Sequence, residues 1–223
     1  DWFIRRRTWF WWWRYRQIYR RADALQVISH FLARRVRRYG YPRAPVVIPN
    51  GVDLSRFVRP SAAAAAGVRR RLGIADGAPV LVSVSRLVAK NGLADLVAAL
   101  AVLHQRFGLD AHLILVGSGP REARLRSQAI ELGVQSLVHF AGRVDHAQLP
   151  AYLAAADVFV RPSRSEGLGN AFLEAMAVGL PVVGTPVGGI VDFIRDGETG
   201  VLVLARHPSD LAMRLERLLA DPT

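Results

Sequence analysis

From Pro79 onward the chain alternates between short apolar runs and longer stretches in which apolar residues recur every three or four positions. The short runs, at 80–85, 112–116, 138–141, 158–161, 182–185 and 201–203, read as strands. The longer stretches, at 92–107, 120–132, 146–156, 170–178 and 209–220, read as helices, with a short one near 190–195. Strands and helices that alternate in this way predict a parallel sheet covered by helices on both faces. Ligands of such sheets lie beyond the carboxyl ends of the strands. The loops of interest are therefore Ser85-Arg86, Gly117-Ser118-Gly119-Pro120, Gly142-Arg143-Val144 and Ser163 to Asn170.

The pattern before Pro79 is less regular. Ala24 to Ile28 reads as a short strand. Ser29 is placed to cap a helix from His30 to Tyr39, which Gly40 closes. Val46 to Ile48 is a second short apolar run, followed by Pro49-Asn50-Gly51-Val52-Asp53. Ala62 to Gly67 reads as a flexible or frayed stretch. The first twenty residues have a different character. Drawn as a helix, Ile4, Thr8, Trp11, Trp12, Tyr15, Ile18 and Tyr19 form one stripe flanked by arginines.

Composition narrows the possibilities. At 223 residues and 51% apolar content the chain can hold one large domain or parts of two. It has no cysteine, so disulfides and thiolate metal sites are excluded and secretion is not indicated. No apolar run approaches a membrane span. The chain begins at Asp1 rather than methionine, and an upstream part is expected to be absent. The formal net charge of +12 is concentrated at one end: residues 1–43 carry twelve Arg against Asp1 and Asp23, whereas 44–223 carry eighteen Lys and Arg against sixteen acids. All five tryptophans lie within the first thirteen residues. Two readings of residues 2–21 follow. One is a helix lying on an anionic membrane surface, with the aromatic groups at the interface and the arginines on lipid headgroups. The other is an amphipathic helix packed on a neighbouring domain. Nucleic acid is not an expected partner, because no recognised module accompanies the charge.

The chemistry concentrates between Glu166 and Glu174, two carboxylates eight positions apart around a predicted helix start, in the segment Glu166-Gly167-Leu168-Gly169-Asn170-Ala171-Phe172-Leu173-Glu174. A strand precedes it and Pro181 and a second strand follow. A glycine-rich helix start offers unpaired amides and the positive end of the helix dipole, which suit a phosphate. Glu166 lies before the helix and Glu174 more than a turn inside it, so the two can meet different parts of one ligand. Hydroxyl groups are natural partners for both.

Glu166-x7-Glu174, within Pro162-Ser163-Arg164-Ser165-Glu166-Gly167 and running on to Pro186-Val187-Gly188-Gly189, resembles the donor-site signature of GT4-type retaining glycosyltransferases. The matching pattern extends from about Ala22 to the end of the chain. The resemblance implies a GT-B fold, two Rossmann-like domains facing across a cleft, of which this chain holds mainly the C-terminal half. Residues 1–48 would be the remnant of the acceptor domain, most of which is missing, and 49–223 the nucleotide-sugar donor domain, with its last helix cut short at Thr223. The implied reaction moves a hexosyl group from an NDP-sugar to a hydroxyl acceptor with retention. No other cofactor is implied. The implied acceptor is a lipid-linked or cell-envelope glycan, and the implied location is cytoplasmic, peripheral to the inner face of the membrane. With the acceptor domain missing, the fragment is expected to bind donor and transfer nothing.

The resemblance also assigns residues. Glu174 corresponds to the ribose-binding carboxylate and Glu166 to the catalytic residue at the donor sugar hydroxyls. Gly167, Leu168, Gly169 and Asn170 correspond to amides near the diphosphate. Arg86 and Lys90 correspond to cations on that diphosphate, although the family lysine stands immediately before the glycine, where this chain has Asn91. Gly119 would allow close backbone approach to the nucleotide, or merely form a turn. Val144 corresponds to the position that meets the base. The six histidines show no metal-ligand spacing and read as surface or packing residues. No Asp-x-Asp pair stands ready for a divalent ion, so a metal-independent transfer is expected, with Arg86, Lys90 and helix amides stabilising the leaving group. Two rivals stand beside this reading: a non-catalytic nucleotide-sugar binding module, and a Rossmann oxidoreductase. The latter lacks its Gly-x-Gly-x-x-Gly after the first strand, where Ser83-Val84-Ser85-Arg86 is found.

Overall fold

The computed structural model describes residues 13–220, which divide into two compact units at Asn50/Gly51. In the first unit, helical residues 13–21 (α1) lead to β1 (Gln26–Val27), α2 (His30–Arg38) and β2 (Val46–Val47), and the two short strands pair in parallel. Ser29 caps α2 as expected: its hydroxyl accepts from the Leu32 amide at 3.2 Å. Val27, Val36 and Tyr41 form a small core. Of the aromatic stripe, Ile4, Thr8, Trp11 and Trp12 lie outside the described residues. Tyr15 and Ile18 are exposed on α1, whereas Tyr19 stacks on Tyr39 with ring centroids 5.9 Å apart. Among the described residues no helix is long and apolar enough to cross a membrane.

The second unit is a six-stranded, wholly parallel sheet: β3 (Val80–Val84), β4 (His112–Val116), β5 (Val138–Gly142), β6 (Val158–Val160), β7 (Val182–Gly184) and β8 (Val201–Leu202), in the order β5-β4-β3-β6-β7-β8. Counted from its own first strand, this is the doubly wound Rossmann order. Its direction of growth reverses between β3 and β6, and the crevice at their carboxyl ends is where such folds bind ligands. The strands are mostly apolar because each feeds both faces. Leu81, Leu113, Leu115, Val158 and Val160 pack with α4 (Leu93–Phe107), α5 (Glu122–Glu131) and α8 (Pro208–Ala220). Val80, Val82, Ile114 and Phe159 pack with α3 (Ala62–Arg71), α6 (Leu149–Ala154) and α7 (Asn170–Ala177). In α4 the buried Leu93, Leu96, Val97, Leu100 and Leu103 recur at helical spacing and face α8.

One expectation is overturned. Ala62 to Gly67 is not frayed but forms the first turns of α3, capped by Ser61, whose hydroxyl accepts from the Ala64 amide. Alanine has the highest intrinsic helix propensity, and Val68 anchors the helix in the core. A sparse apolar pattern hid a strong local preference.

At the amino ends of the strands, His112 Nδ1 and His139 Nε2 lie 2.9 Å apart across β4 and β5. Burial lowers the proton affinity of both below the ordinary 6.5, most directly for His139, where His112 adds to the effect. Asp110 opposes the shift at His112 and Arg69 reinforces it. The unfolded chain therefore takes up protons first. The stability due to the neutral pair is complete above 6.5 and is lost as the pH falls below it. Melting temperature is expected to fall between pH 7.5 and 5.5, and less steeply in His139→Asn; equal slopes would contradict this account of the pair.

Candidate functional site

Three loops at the carboxyl edge of the sheet, after β3, β4 and β5, enclose a cleft of about 550 Å³, lined among others by Ser85, Arg86, Ser118, Gly119, Arg143, Val144 and His146. The loop after β3 is tightly tied. The Asn91 side chain, 5% exposed, donates to the Arg86 carbonyl at 2.7 Å, so the residue standing where a lysine is usual in the resembled family holds the loop from inside. Arg86 is exposed in the cleft. Lys90 is also exposed, in a 3-10 turn over Ala89–Asn91, but does not line the cleft. Its carbonyl accepts from the Arg164 amide at 2.7 Å, which joins the β3 and β6 loops across the crevice. Gly119 lines the cleft, yet a Cβ there would lie 2.4 Å from the Leu87 carbonyl oxygen. Its bareness is used against the neighbouring loop.

Glu174 projects from α7, with its side chain only 15% exposed, and meets His146 from the loop after β5: Oε1 and Nε2 are 3.1 Å apart. The Arg56 guanidinium lies 3.2 Å from His146 Nδ1. A guanidinium only donates, so Nδ1 accepts, Nε2 carries the proton, and His146 donates to Glu174. Phe57 packs edge-on against the imidazole, with centroids 5.0 Å apart. His146, read from the sequence as a surface or packing residue, packs on Phe57 with its side chain half exposed and also lines the cleft. Its partner lies 28 positions away, and no spacing rule could have joined them.

Glu166 sits in the β6 loop with both carboxylate oxygens engaged. Oε2 accepts from Arg161 at 2.7 Å and Oε1 accepts from the Gly167 amide at 3.1 Å. One of the amides expected to serve a phosphate is therefore already committed to Glu166. Leu168 is buried at 3% exposure, and Gly169, with φ of 100°, opens α7 without a side-chain cap. Asn170 begins the helix and is exposed. The backbone of Glu166 is held from the other side by Gly188, where a Cβ would stand 1.8 Å from the Glu166 carbonyl oxygen.

Arg161 did not emerge from the sequence. Its side chain is 7% exposed, Nη1 donates to the Val84 carbonyl at 3.2 Å, and the guanidinium lies 4.8 Å from the Phe172 ring centroid. Burial lowers its proton affinity, while Glu166 and then Glu174 raise it. Arg164, by contrast, faces Asp95 in a bidentate pair at 2.9–3.2 Å. Among the described residues no three His, Asp or Glu side chains gather as a metal site would require.

A Rossmann-order sheet, with an arginine, two carboxylates and a helix start at the carboxyl edge, has the architecture of one Rossmann-like half of a GT-B fold. The description "Glycosyl transferases group 1" matches residues 67–223, and "Glycosyltransferase Family 4" matches residues 1–56. The chain belongs to the group 1 glycosyltransferases. It is 38% identical over 215 residues to a GDP-mannose-dependent alpha-(1-6)-phosphatidylinositol monomannoside mannosyltransferase of Mycolicibacterium smegmatis, covering 93% of this chain and 56% of that one. Among solved structures it resembles a sucrose-phosphate synthase from Thermosynechococcus elongatus, with TM-score 0.80, 33% identity, and coverage of 93% of this chain and 51% of that one. It also resembles Anabaena Alr3699/HepE in complex with UDP and glucose, with TM-score 0.81, 27% identity, and coverage of 90% and 54%. The chain spans about half the length of the curated relatives it matches.

Proposed function

We propose that the whole protein is a retaining, metal-independent glycosyltransferase that moves a hexosyl group from an NDP-sugar to a hydroxyl acceptor. The observation that carries this reading is the grouping of Arg86, Val144 and the His146–Glu174 pair at the cleft beyond the carboxyl ends of β3 and β5, with Glu166 in the adjoining loop between β6 and the amino end of α7. In this reading Val144 meets the base and Glu174 holds the ribose. Arg86 and the amides of Leu168, Gly169 and Asn170 offset the charge that develops on the leaving diphosphate. Lys90 assists from the rim, and Glu166 accepts hydrogen bonds from the sugar hydroxyls. Residues 49–223 form the donor domain and 1–48 belong to the acceptor domain, so the chain by itself binds donor without transferring it. The names of the mannosyltransferase relatives favour a lipid-linked acceptor. Work on such an acceptor would place the enzyme at the inner face of the membrane, where residues 2–21 would meet anionic lipid.

A thermal-shift panel of GDP-mannose, UDP-glucose, ADP-glucose and NAD tests the reading. One NDP-sugar should stabilise the chain and NAD should not; stabilisation by NAD alone would favour a dehydrogenase. With the selected donor, Arg86→Ala should weaken the nucleoside diphosphate about tenfold or more, as expected for a lost charge-assisted hydrogen bond. Lys90→Ala should cost less. Added salt should weaken wild type more than Arg86→Ala. Negligible effects of both substitutions would place the diphosphate elsewhere.

A further inference from the structure

Arg161 occupies the switch point itself. It leaves the end of β6, crosses to the last carbonyl of β3 at Val84, and holds Glu166 Oε2 with the same guanidinium. Such burial is unfavourable unless the charge is paired, and an apolar residue of similar size is often as stable in such a place. Nothing in the sheet's packing requires an arginine there, because Phe172 offers an apolar ring face on which a methionine would also rest. What an arginine adds is a rigid fork that fixes an acceptor in direction as well as distance.

That direction matters because little else sets it. Gly188 pins the backbone of Glu166, but leaves its side-chain torsions free. The Gly167 amide holds only Oε1. A carboxylate has about four acceptor positions. Arg161 and Gly167 each fill one, and the orientation of the remainder follows from the two that are filled. We propose that Arg161 is a positioning residue, which turns the Glu166 carboxylate so that its open acceptor positions face the donor sugar. It acts on sugar binding and transfer only through Glu166. The inference rests on the proposed contact between Glu166 and the sugar.

The test uses the intact enzyme in five forms: wild type, Arg161→Met, Arg161→Lys, Glu166→Gln and the double variant Arg161→Met with Glu166→Gln. Calorimetry compares GDP with GDP-mannose, and UDP with UDP-glucose as the second pair; kcat is read with the sugar donor that binds. Arg161→Met should leave the nucleoside diphosphate within about twofold of wild type while losing about 10–100-fold in kcat, as for a charge-assisted hydrogen bond. Arg161→Lys should recover part of the loss, since it restores the charge without the fork. The double variant should be no worse than Glu166→Gln, because a residue acting through a partner has nothing left to contribute once the partner is altered. Additive losses, or equal weakening of nucleotide and sugar nucleotide, would overturn the proposal. So would an Arg161→Met enzyme that melts lower but keeps its kcat. A silent Glu166→Gln would instead remove the sugar contact on which the inference stands. If Arg161→Met does not fold, Arg161→Lys carries the same comparison against Glu166→Gln.

Discussion

Gly188→Ala is expected to destabilise the protein by on the order of 3–5 kcal/mol, with contributions from left-handed backbone and from overpacking. In a unit of this size that corresponds to a melting temperature lower by about 10 °C. Two causes add. The residue has φ of 65°, and the new methyl would stand 1.8 Å from the Glu166 carbonyl oxygen, a distance that only backbone movement can relieve. Gly133→Ala separates them: its φ is 73°, but nothing lies within 4 Å of the added carbon, so only the conformational part remains, about 1–2 kcal/mol. The difference between the two variants measures the clash. Because relief must push the Glu166 loop, Gly188→Ala should also weaken the sugar nucleotide more than the nucleoside diphosphate. Equal melting temperatures for the two variants would show that the loops do not abut as described.

The second large effect is expected at Glu174. If its carboxylate holds the ribose hydroxyls, Glu174→Ala should weaken nucleoside diphosphate and sugar nucleotide alike, by about 1.5–3 kcal/mol or roughly 10–100-fold. The parallel loss distinguishes Glu174 from Glu166, whose effect should appear only when the sugar is present. His146 donates to Glu174 and lines the cleft, so His146→Ala should reproduce part of the loss. Calorimetry with the free nucleoside diphosphate decides the matter. Unchanged affinity at an unchanged melting temperature would take Glu174 out of the site.

Much of the sheet was legible because its strands are buried on both faces, and continuous apolar runs such as Leu113-Ile114-Leu115-Val116 have no other reading between helical stretches. Helix positions were legible wherever leucines recur, as in α4. The alanine run of α3 was not, because alanine signals helix through propensity and carries little periodicity. The site divides in the same way. Arg86, Val144, Glu166 and Glu174 stand in loops or helix starts that the strand pattern locates. Arg161 stands before a proline at a strand end and looks like an exposed terminus; only the return of β6 beside β3 buries it. Asn91 looked like a defect in the phosphate-binding pattern until its side chain was found inside the loop.

The close approaches around the cleft bear on how such a domain can diversify. Gly117 abuts Ser85, Gly119 abuts Leu87, Gly92 abuts Pro162 and Gly188 abuts Glu166, each at a separation that leaves no room for even a methyl group. Loops locked in this way tolerate neither insertion nor deletion without moving their neighbours. The turn after β5 is different: Gly142 has φ of 68° and itself favours glycine, but nothing lies within 4 Å of a side chain there, and Arg143, Val144 and His146 follow it into the cleft. Changes of donor preference, in natural descent or in a directed library, should therefore accumulate at residues 143–145 and be rare in the interlocked loops.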